Sequence, residues 1–198
     1  MLAADDAALA QAARSIGSPQ IRAAGTIGGN LATASPAGDG LVVLAALDAS
    51  IEVASYPRGS RLIRWSDFLT GPKQTSLAPD ELITAVHLPP DRPRQSEFVK
   101  VGVRGAMVIA VVNACVAKSP SGRVAIALGS VAPTVVRART AERLVNEAGG
   151  YSDALAAAVA DAIRADIAPI TDHRSTAEYR HHAAGVIVRR LLERMAAS

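Results

Sequence analysis

The sequence predicts an α+β protein in two parts, and three features carry that expectation. Short runs rich in β-forming residues recur over residues 51–88, two further runs at 108–117 and 124–131 are joined by a turn, and three helical segments close the chain. With 49% hydrophobic and 20% charged residues, the 198-residue chain can bury an ordinary core, which excludes a disordered polypeptide.

The elements follow in order. Residues 7–16 form an Ala-rich run with Leu9, Ala13 and Ile16 on one face, a short helix stopped by Gly17, Ser18 and Pro19. The glycine loop Gly25-Thr26-Ile27-Gly28-Gly29-Asn30 comes next. Residues 41–47 are apolar at helical spacing, and Ser35 with Pro36 supplies an N-cap and first-turn pair, so loop and helix adjoin. Residues 51–54, 62–65 and 82–88 read as strands, set off by turn signals at Pro57-Arg58-Gly59 and Gly71-Pro72. The run Pro89-Pro90-Asp91-Arg92-Pro93 stiffens the backbone and removes three amide donors, which puts a boundary between a first domain over 1–92 and a second over 93–198.

In the second part, residues 98–103, 108–117 and 124–131 predict a three-stranded antiparallel sheet, its last two strands joined by the turn Lys118-Ser119-Pro120-Ser121-Gly122. Helices are expected at 140–148, ended by Gly149-Gly150, at 152–166, and at 176–195. The last is introduced by the capping box Ser175-Thr176-Ala177-Glu178 and carries Ala184, Ile187, Val188, Leu191 and Met195 on one side.

Charge and composition exclude several functions. Lys+Arg 21 against Asp+Glu 18 gives a net +3, with the basic residues dispersed, which is not the dense positive field of a nucleic-acid binder. Cys115 is the single cysteine, so this chain holds no intrachain disulfide and no cysteine-ligated cluster or zinc; it reads as a buried small hydrophobe. The start, Met1-Leu2-Ala3-Ala4-Asp5-Asp6, is acidic where a signal peptide needs a basic region, and no stretch reaches the ~18 apolar residues of a membrane span, so a cytoplasmic protein is expected. His173, His181 and His182 near Asp172 read as a polar helix entrance, because adjacent helical residues diverge too far to chelate together. Trp65 and Phe68 read as core or interface anchors.

The chemistry concentrates in the glycine loop. Three glycines in six residues allow positive φ and close approach to a ligand, so consecutive amides can converge on an anion, with the Thr26 hydroxyl as a further donor. The helix after Pro36 would aim its positive end at the same region, which suits a pyrophosphate. Asp39 in its first turn can accept from ribose hydroxyls or complement the helix dipole, and Asn30 can orient the loop or bind the ligand. Neither a nucleotide triphosphate loop nor a Gly-x-Gly-x-x-Gly between strand and helix is present.

The runs Ile16-Gly17-Ser18-Pro19-Gln20-Ile21-Arg22 and Gly25-Thr26-Ile27-Gly28-Gly29-Asn30-Leu31-Ala32-Thr33-Ala34-Ser35-Pro36-Ala37-Gly38-Asp39 resemble the second flavin motif of FAD-binding (medium) subunits of the molybdenum hydroxylase family, of xanthine dehydrogenase and carbon monoxide dehydrogenase type. Phe68-Leu69-Thr70-Gly71-Pro72-Lys73-Gln74-Thr75, Pro79-Asp80-Glu81-Leu82-Ile83, Phe98-Val99-Lys100, Gly129-Ser130-Val131-Ala132-Pro133, and Asp172-His173-Arg174 with Tyr179-Arg180 resemble it in the same order.

The resemblance implies a second flavin-binding subdomain, a mixed sheet with flanking helices, ahead of the C-terminal sheet. It implies FAD as cofactor, with Gly25, Thr26, Gly28, Gly29 and Asn30 around the pyrophosphate, Asp39 at the adenosine ribose, Leu82 and Ile83 against the adenine or flavin side, and Lys100 near the flavin ring. It implies partners too: a molybdopterin-binding large subunit and an iron–sulfur small subunit, with electrons leaving through FAD to NAD+ or another acceptor. The wording of the motifs is most similar to xanthine dehydrogenase members. The family's preceding subdomain, with its Ala-Gly-Gly-Thr motif, has no counterpart here, so an N-terminally truncated form is expected. Two other readings stand beside this one: a non-catalytic remnant that binds partner subunits without FAD, and an RNA-binding module on the bare Gly25-Thr26-Ile27-Gly28 pattern, which lacks the basic face such a module uses.

Overall fold

The computed structural model describes residues 7–93, 95–105 and 107–197; the acidic start from Met1 to Asp6 lies outside them. The chain runs α1 (Ala7–Ser15), α2 (Pro19–Ala24), α3 (Ile27–Thr33), α4 (Asp39–Ala46), β1 (Ser50–Ser55), β2 (Gly59–Arg64), α5 (Trp65–Phe68), β3 (Leu69–Gly71), β4 (Gln74–Thr75), β5 (Leu82–His87), β6 (Gln95–Val101), β7 (Val112–Lys118), β8 (Val124–Gly129), β9 (Val136–Arg137), α6 (Arg139–Glu147), α7 (Asp153–Asp166) and α8 (Ala177–Ala196). The expected α+β class holds, and no helix among the described residues is long and apolar enough to cross a membrane.

The first sheet, in the order β2-β1-β5, is antiparallel throughout and not mixed. Gly59, at φ +71°, turns the chain tightly enough for β2 to return along β1, and β5 comes back along β1's other edge. β1 alternates between half-buried and buried positions, with Ile51 and Val53 facing the core. Trp65, expected to end a strand, opens α5 instead, and it and Phe68 are both buried there, ring centroids 6.4 Å apart.

The second sheet has four strands, β6-β7-β8-β9, one more than expected, because two residues of the link to α6 pair with β8 at Ala127↔Arg137 and Leu128↔Val136. The expected strand over 108–117 starts only at Val112. Val111 donates its amide to the Val101 carbonyl (2.8 Å) and its own carbonyl accepts from the Arg180 guanidinium (2.6 Å), so these backbone groups close a bend in place of a ladder.

β7 is buried on both faces because each face meets a different core. Cys115 and Ala117 join Leu31, α4, Ile51, Val53 and Phe68 in the first core. Val112, Ala114 and Val116 join the inner sides of α7 and α8 in the second. All eight residues of α4 are buried, as befits a helix that is apolar nearly all round and wedged between α1 and strands β7 and β8. The first core thus draws on residues from both sides of Pro89–Pro93.

Three local expectations change. α1 fully buries Ala8 and Ala12, while Leu9 packs on the first core only in part, Ala13 is exposed and Ile16 falls beyond the helix, since α1 lies close against β6: the Ala8 amide points to Ser96 Oγ (3.4 Å) and Gln11 Oε1 accepts from the Phe98 amide (2.7 Å). α4 begins at Asp39 with Gly38 as N-cap; Ser35 and Pro36 belong to a preceding turn closed by the Gly38 amide on the Ser35 carbonyl (2.9 Å). The cap of α8 is Thr176, whose hydroxyl accepts from the Tyr179 amide (3.1 Å), while Ser175 bridges to Asp172. The expected inner face of α8, with Ala184, Ile187, Val188, Leu191 and Met195, is buried as read from its spacing.

Candidate functional site: a glycine-bearing helix start and a buried lysine–aspartate pair

The glycine motif is the start of a helix and not an open loop. Thr26 is the N-cap of α3, its Oγ1 accepting from the Gly29 amide at 3.0 Å, and Gly25, Gly28 and Gly29 all keep negative φ. What the glycines supply here is the absence of a side chain. The amides of Ile27 and Gly28, in the first turn, point out of the helix start, where no intrahelical carbonyl can meet them. Gly28 abuts β5: a Cβ there would lie 3.8 Å from Ile83 Cβ. Ile83 packs on the first core, whereas its neighbour Leu82 is 75% exposed. Asn30 faces the other way, its Oδ1 lying where a Cβ on Gly40 would be only 2.6 Å off, so it seats α3 against α4 beside Asp39.

Asp39 and Lys100 meet. Their Nζ–Oδ2 distance is 2.6 Å, with side chains 4% and 11% exposed. Both carboxylate oxygens are engaged by the protein: Oδ2 also accepts from Ser15 Oγ (2.9 Å) and Oδ1 accepts from Asn113 Nδ2 (2.7 Å). Lys100 gives a second proton to the Ser15 carbonyl at 3.1 Å. An ammonium has three donors and two are used here; Lys100 also lines a cavity of about 410 Å³ together with Arg14, Gly17, Arg22, Arg104 and Met107. Among the described residues, no acidic one lines this cavity. Arg22 braces its wall by donating to the Ile16 and Gly17 carbonyls, both at 2.9 Å.

The structure therefore divides the residues expected from the motif into two adjoining groups. Gly25, Thr26, Gly28, Gly29 and Asn30 form the start of α3 with Ile83 and Leu82 next to it on β5; Asp39 and Lys100 form the buried pair one contact away, through Asn30 and Gly40. Sequence reasoning missed Ser15 and Asn113. Asn113 left a signal, a lone carboxamide inside the apolar run of β7; Ser15 left none.

A second network holds the segment that borders the cavity. Arg180, 3% exposed at its side chain, donates to the carbonyls of Val111 (2.6 Å) and Ser130 (3.0 Å) and pairs with Asp172 at 2.7 Å. Burial alone would push the Asp172 carboxyl up; the amides of Arg174 and Ser175 and the Arg180 guanidinium outweigh it and hold it down to about 2. The Asp172-His173-Arg174 and Tyr179-Arg180 motif thus acts on backbone geometry, and no group of three His, Cys, Asp or Glu able to hold a metal occurs among the described residues.

Comparison with known proteins identifies the family. The family described as FAD binding domain in molybdopterin dehydrogenase matches residues 1–91, and the CO dehydrogenase flavoprotein C-terminal domain matches residues 97–195. The nicotine 6-hydroxylase medium subunit of Paenarthrobacter nicotinovorans is 38% identical over 188 residues, covering 93% of this chain and 65% of that protein. The xanthine dehydrogenase FAD-binding subunit of Escherichia coli O157:H7 is 32% identical over 199 residues, covering 96% and 67%. Among solved structures, reconstituted CO dehydrogenase from Oligotropha carboxidovorans superposes with a TM-score of 0.88 at 32% identity, covering 99% of this chain and 69% of that one. The CO dehydrogenase of Hydrogenophaga pseudoflava that lacks the Mo-pyranopterin moiety gives 0.87 at 30% identity, covering 98% and 68%. The chain spans 65% and 67% of the length of these two curated relatives. With both domain families matched in order and the same fold in the solved relatives, the chain belongs to the FAD-binding medium subunits of the molybdenum hydroxylase family.

Proposed function

We propose that this chain carries FAD in a molybdenum hydroxylase complex, receiving electrons from iron–sulfur clusters on a small subunit that are filled by a molybdopterin-bearing large subunit, and passing them to NAD+ or another acceptor. The observation that carries the reading is the Asp39–Lys100 pair, which leaves one ammonium proton unused beside a cavity with no acidic lining among the described residues, while Asn30 seats the glycine-bearing helix start against Gly40, next to Asp39.

These residues fit a flavin dinucleotide. The amides of Ile27 and Gly28 and the Thr26 hydroxyl can donate to a pyrophosphate that Gly25, Gly28 and Gly29 allow to come close, with Asn30 fixing the helix that presents them. Leu82 and Ile83 offer apolar surface to a ring. The bound flavin supplies the redox chemistry itself. Lys100 holds a positive charge and a hydrogen-bond donor at the cavity, where negative charge develops on a flavin being reduced. Asp39, its oxygens taken by protein donors, is assigned to holding Lys100 and not to the ribose. The division into a flavin-binding part over 1–92 and a C-terminal part over 93–198 belongs to the same proposal, with the Pro89–Pro93 run as the join. Substrate choice would rest with the large subunit, and a xanthine dehydrogenase type is favoured by the motif wording.

Flavin content tests the reading: the visible spectrum of the purified chain, then FAD titration by fluorescence quenching. Gly28→Ala should fold, since its Cβ meets Ile83 only at ordinary contact distance. Gly28→Asp and Gly29→Asp should weaken binding by at least about tenfold, by placing a carboxylate against the pyrophosphate. No saturable binding by the unaltered chain would leave the partner-binding role without FAD as the surviving reading.

A further inference from the structure

We infer that Asn113 is a positioning residue for Lys100: by donating to Oδ1 of Asp39 it fixes the rotation of the carboxylate so that the ammonium meets Oδ2 alone, and so keeps one lysine proton free. The inference rests on the reading of Lys100 as the flavin-facing cation.

Counting donors and acceptors makes the case. Asp39 offers two oxygens with about four lone-pair sites, of which three are met by the protein. Asn113 Nδ2 takes Oδ1 at 2.7 Å, and Ser15 Oγ and Lys100 Nζ share Oδ2. The Ser15 carbonyl takes a second lysine proton. Without the carboxamide, Oδ1 would be a buried carboxylate oxygen with no donor, and the nearby ammonium would bridge both oxygens. Carboxylate and Ser15 carbonyl would then consume all three of its protons, and none would face the cavity.

The fold carries this carboxamide at a cost. Asn113 is fully buried in β7, and its own Oδ1 has no hydrogen-bond partner, a desolvation cost that an apolar residue of the same shape avoids. Room for it is made across the ladder: Asn113 is registered opposite Gly129, where a Cβ would overlap Asn113 Oδ1. Packing therefore gives no reason for a polar residue here, and its one hydrogen bond goes to Asp39.

The test is Asn113→Leu in the full chain, read two ways. In the FAD-loaded protein, spectroelectrochemical titration should show the flavin midpoint falling by roughly 30 mV, tenfold in the two-electron equilibrium, in the direction produced by Lys100→Met. The same substitution added to Lys100→Met should shift nothing further, whereas a merely structural effect would persist in that background. An unchanged midpoint, or a shift that survives Lys100→Met, overturns the inference. In the FAD-free chain, the Lys100 ammonium resonance should move in Asn113→Leu and stay put in a distant apolar substitution. An unmoved resonance overturns the positioning role even if the chain takes no FAD, an outcome that would count against the functional reading alone. Should Asn113→Leu not fold, Asn113→Ser, whose hydroxyl is too short to reach Asp39, is read in the same two ways.

Discussion

Gly129→Ala probes the point where β7, β8 and α4 meet and where the site's chemistry and the packing coincide. The added methyl would overlap Asn113 Oδ1 and lie 2.7 Å from Val42 Cγ2 and 3.1 Å from the Pro36 carbonyl oxygen. None of these can retreat freely. Val42 sits in the fully buried α4, and the Pro36 carbonyl accepts from the Ser130 amide at 2.8 Å. Overpacking of this kind costs about 1–3 kcal/mol. Pushing Asn113 off the Asp39 carboxylate removes a hydrogen bond to a charged group, about 1.5–3 kcal/mol. Against these stands about 0.4–1 kcal/mol from the smaller entropy of the unfolded chain when glycine becomes alanine. The expected net loss is about 3 kcal/mol, which at roughly 2–4 °C per kcal/mol for a chain of this size lowers Tm by about 6–12 °C. Urea unfolding should show the midpoint falling at constant m. The double variant Gly129→Ala, Asn113→Ala should lose less than the two single losses together, because one removes the atom the other strikes. A loss under about 1 kcal/mol for Gly129→Ala, or strict additivity, would refute the placement of Asn113 across from it.

Two further predictions concern the helical layer. Ala138 offers no side chain to cap α6; Asp166, from the end of α7, does so by accepting from the Thr140 amide (3.0 Å), the Ala141 amide (3.2 Å) and the Thr140 hydroxyl (2.8 Å), and Asp166→Ala should cost about 1–2 kcal/mol in a urea titration. An unchanged midpoint would show that the cap is supplied otherwise. Asp172 is held down to about 2 in the fold, below its unfolded value, so its ionised form stabilises the protein at neutral pH, and that contribution should fade as pH falls from about 4 to 2. Asp172→Asn should therefore be less stable than the parent at pH 7, and the gap measured by circular dichroism should close on acidification; a gap that widened would reverse the sign of the argument.

The sequence reveals most where a pattern repeats. β1, β2 and β5 were legible from their β-forming residues and punctuating turns, and α8 from five apolar residues on one side. The buried lysine and aspartate were legible only as separate motif positions, because a contact across 61 residues leaves no trace in local spacing. Glycine misled in one respect: Gly25, Gly28 and Gly29 suggested positive φ, yet Thr26 capping turns the segment into a helix, and the positive φ values fall on Ala34, Lys73, Met107 and Ser130 among others. The late start of β7 and the added β9 were illegible for a related reason. Arg180, distant in sequence, decides where the backbone of Val111 finds its partner, and the turn that brings Val136 back onto β8 has no regular spacing to announce it.

The burial of α4 on every side has a consequence for synthesis. Its apolar residues leave the ribosome well before β7 and β8, the strands that complete their cover. At roughly 5–20 residues per second, the wait until Gly129 emerges is on the order of ten seconds. For that interval the nascent chain displays a greasy helix with only α1 and α3 to dock on, which makes this stretch the place where a holding chaperone would engage it, and which ties the yield of active protein to the pace of translation through the second half.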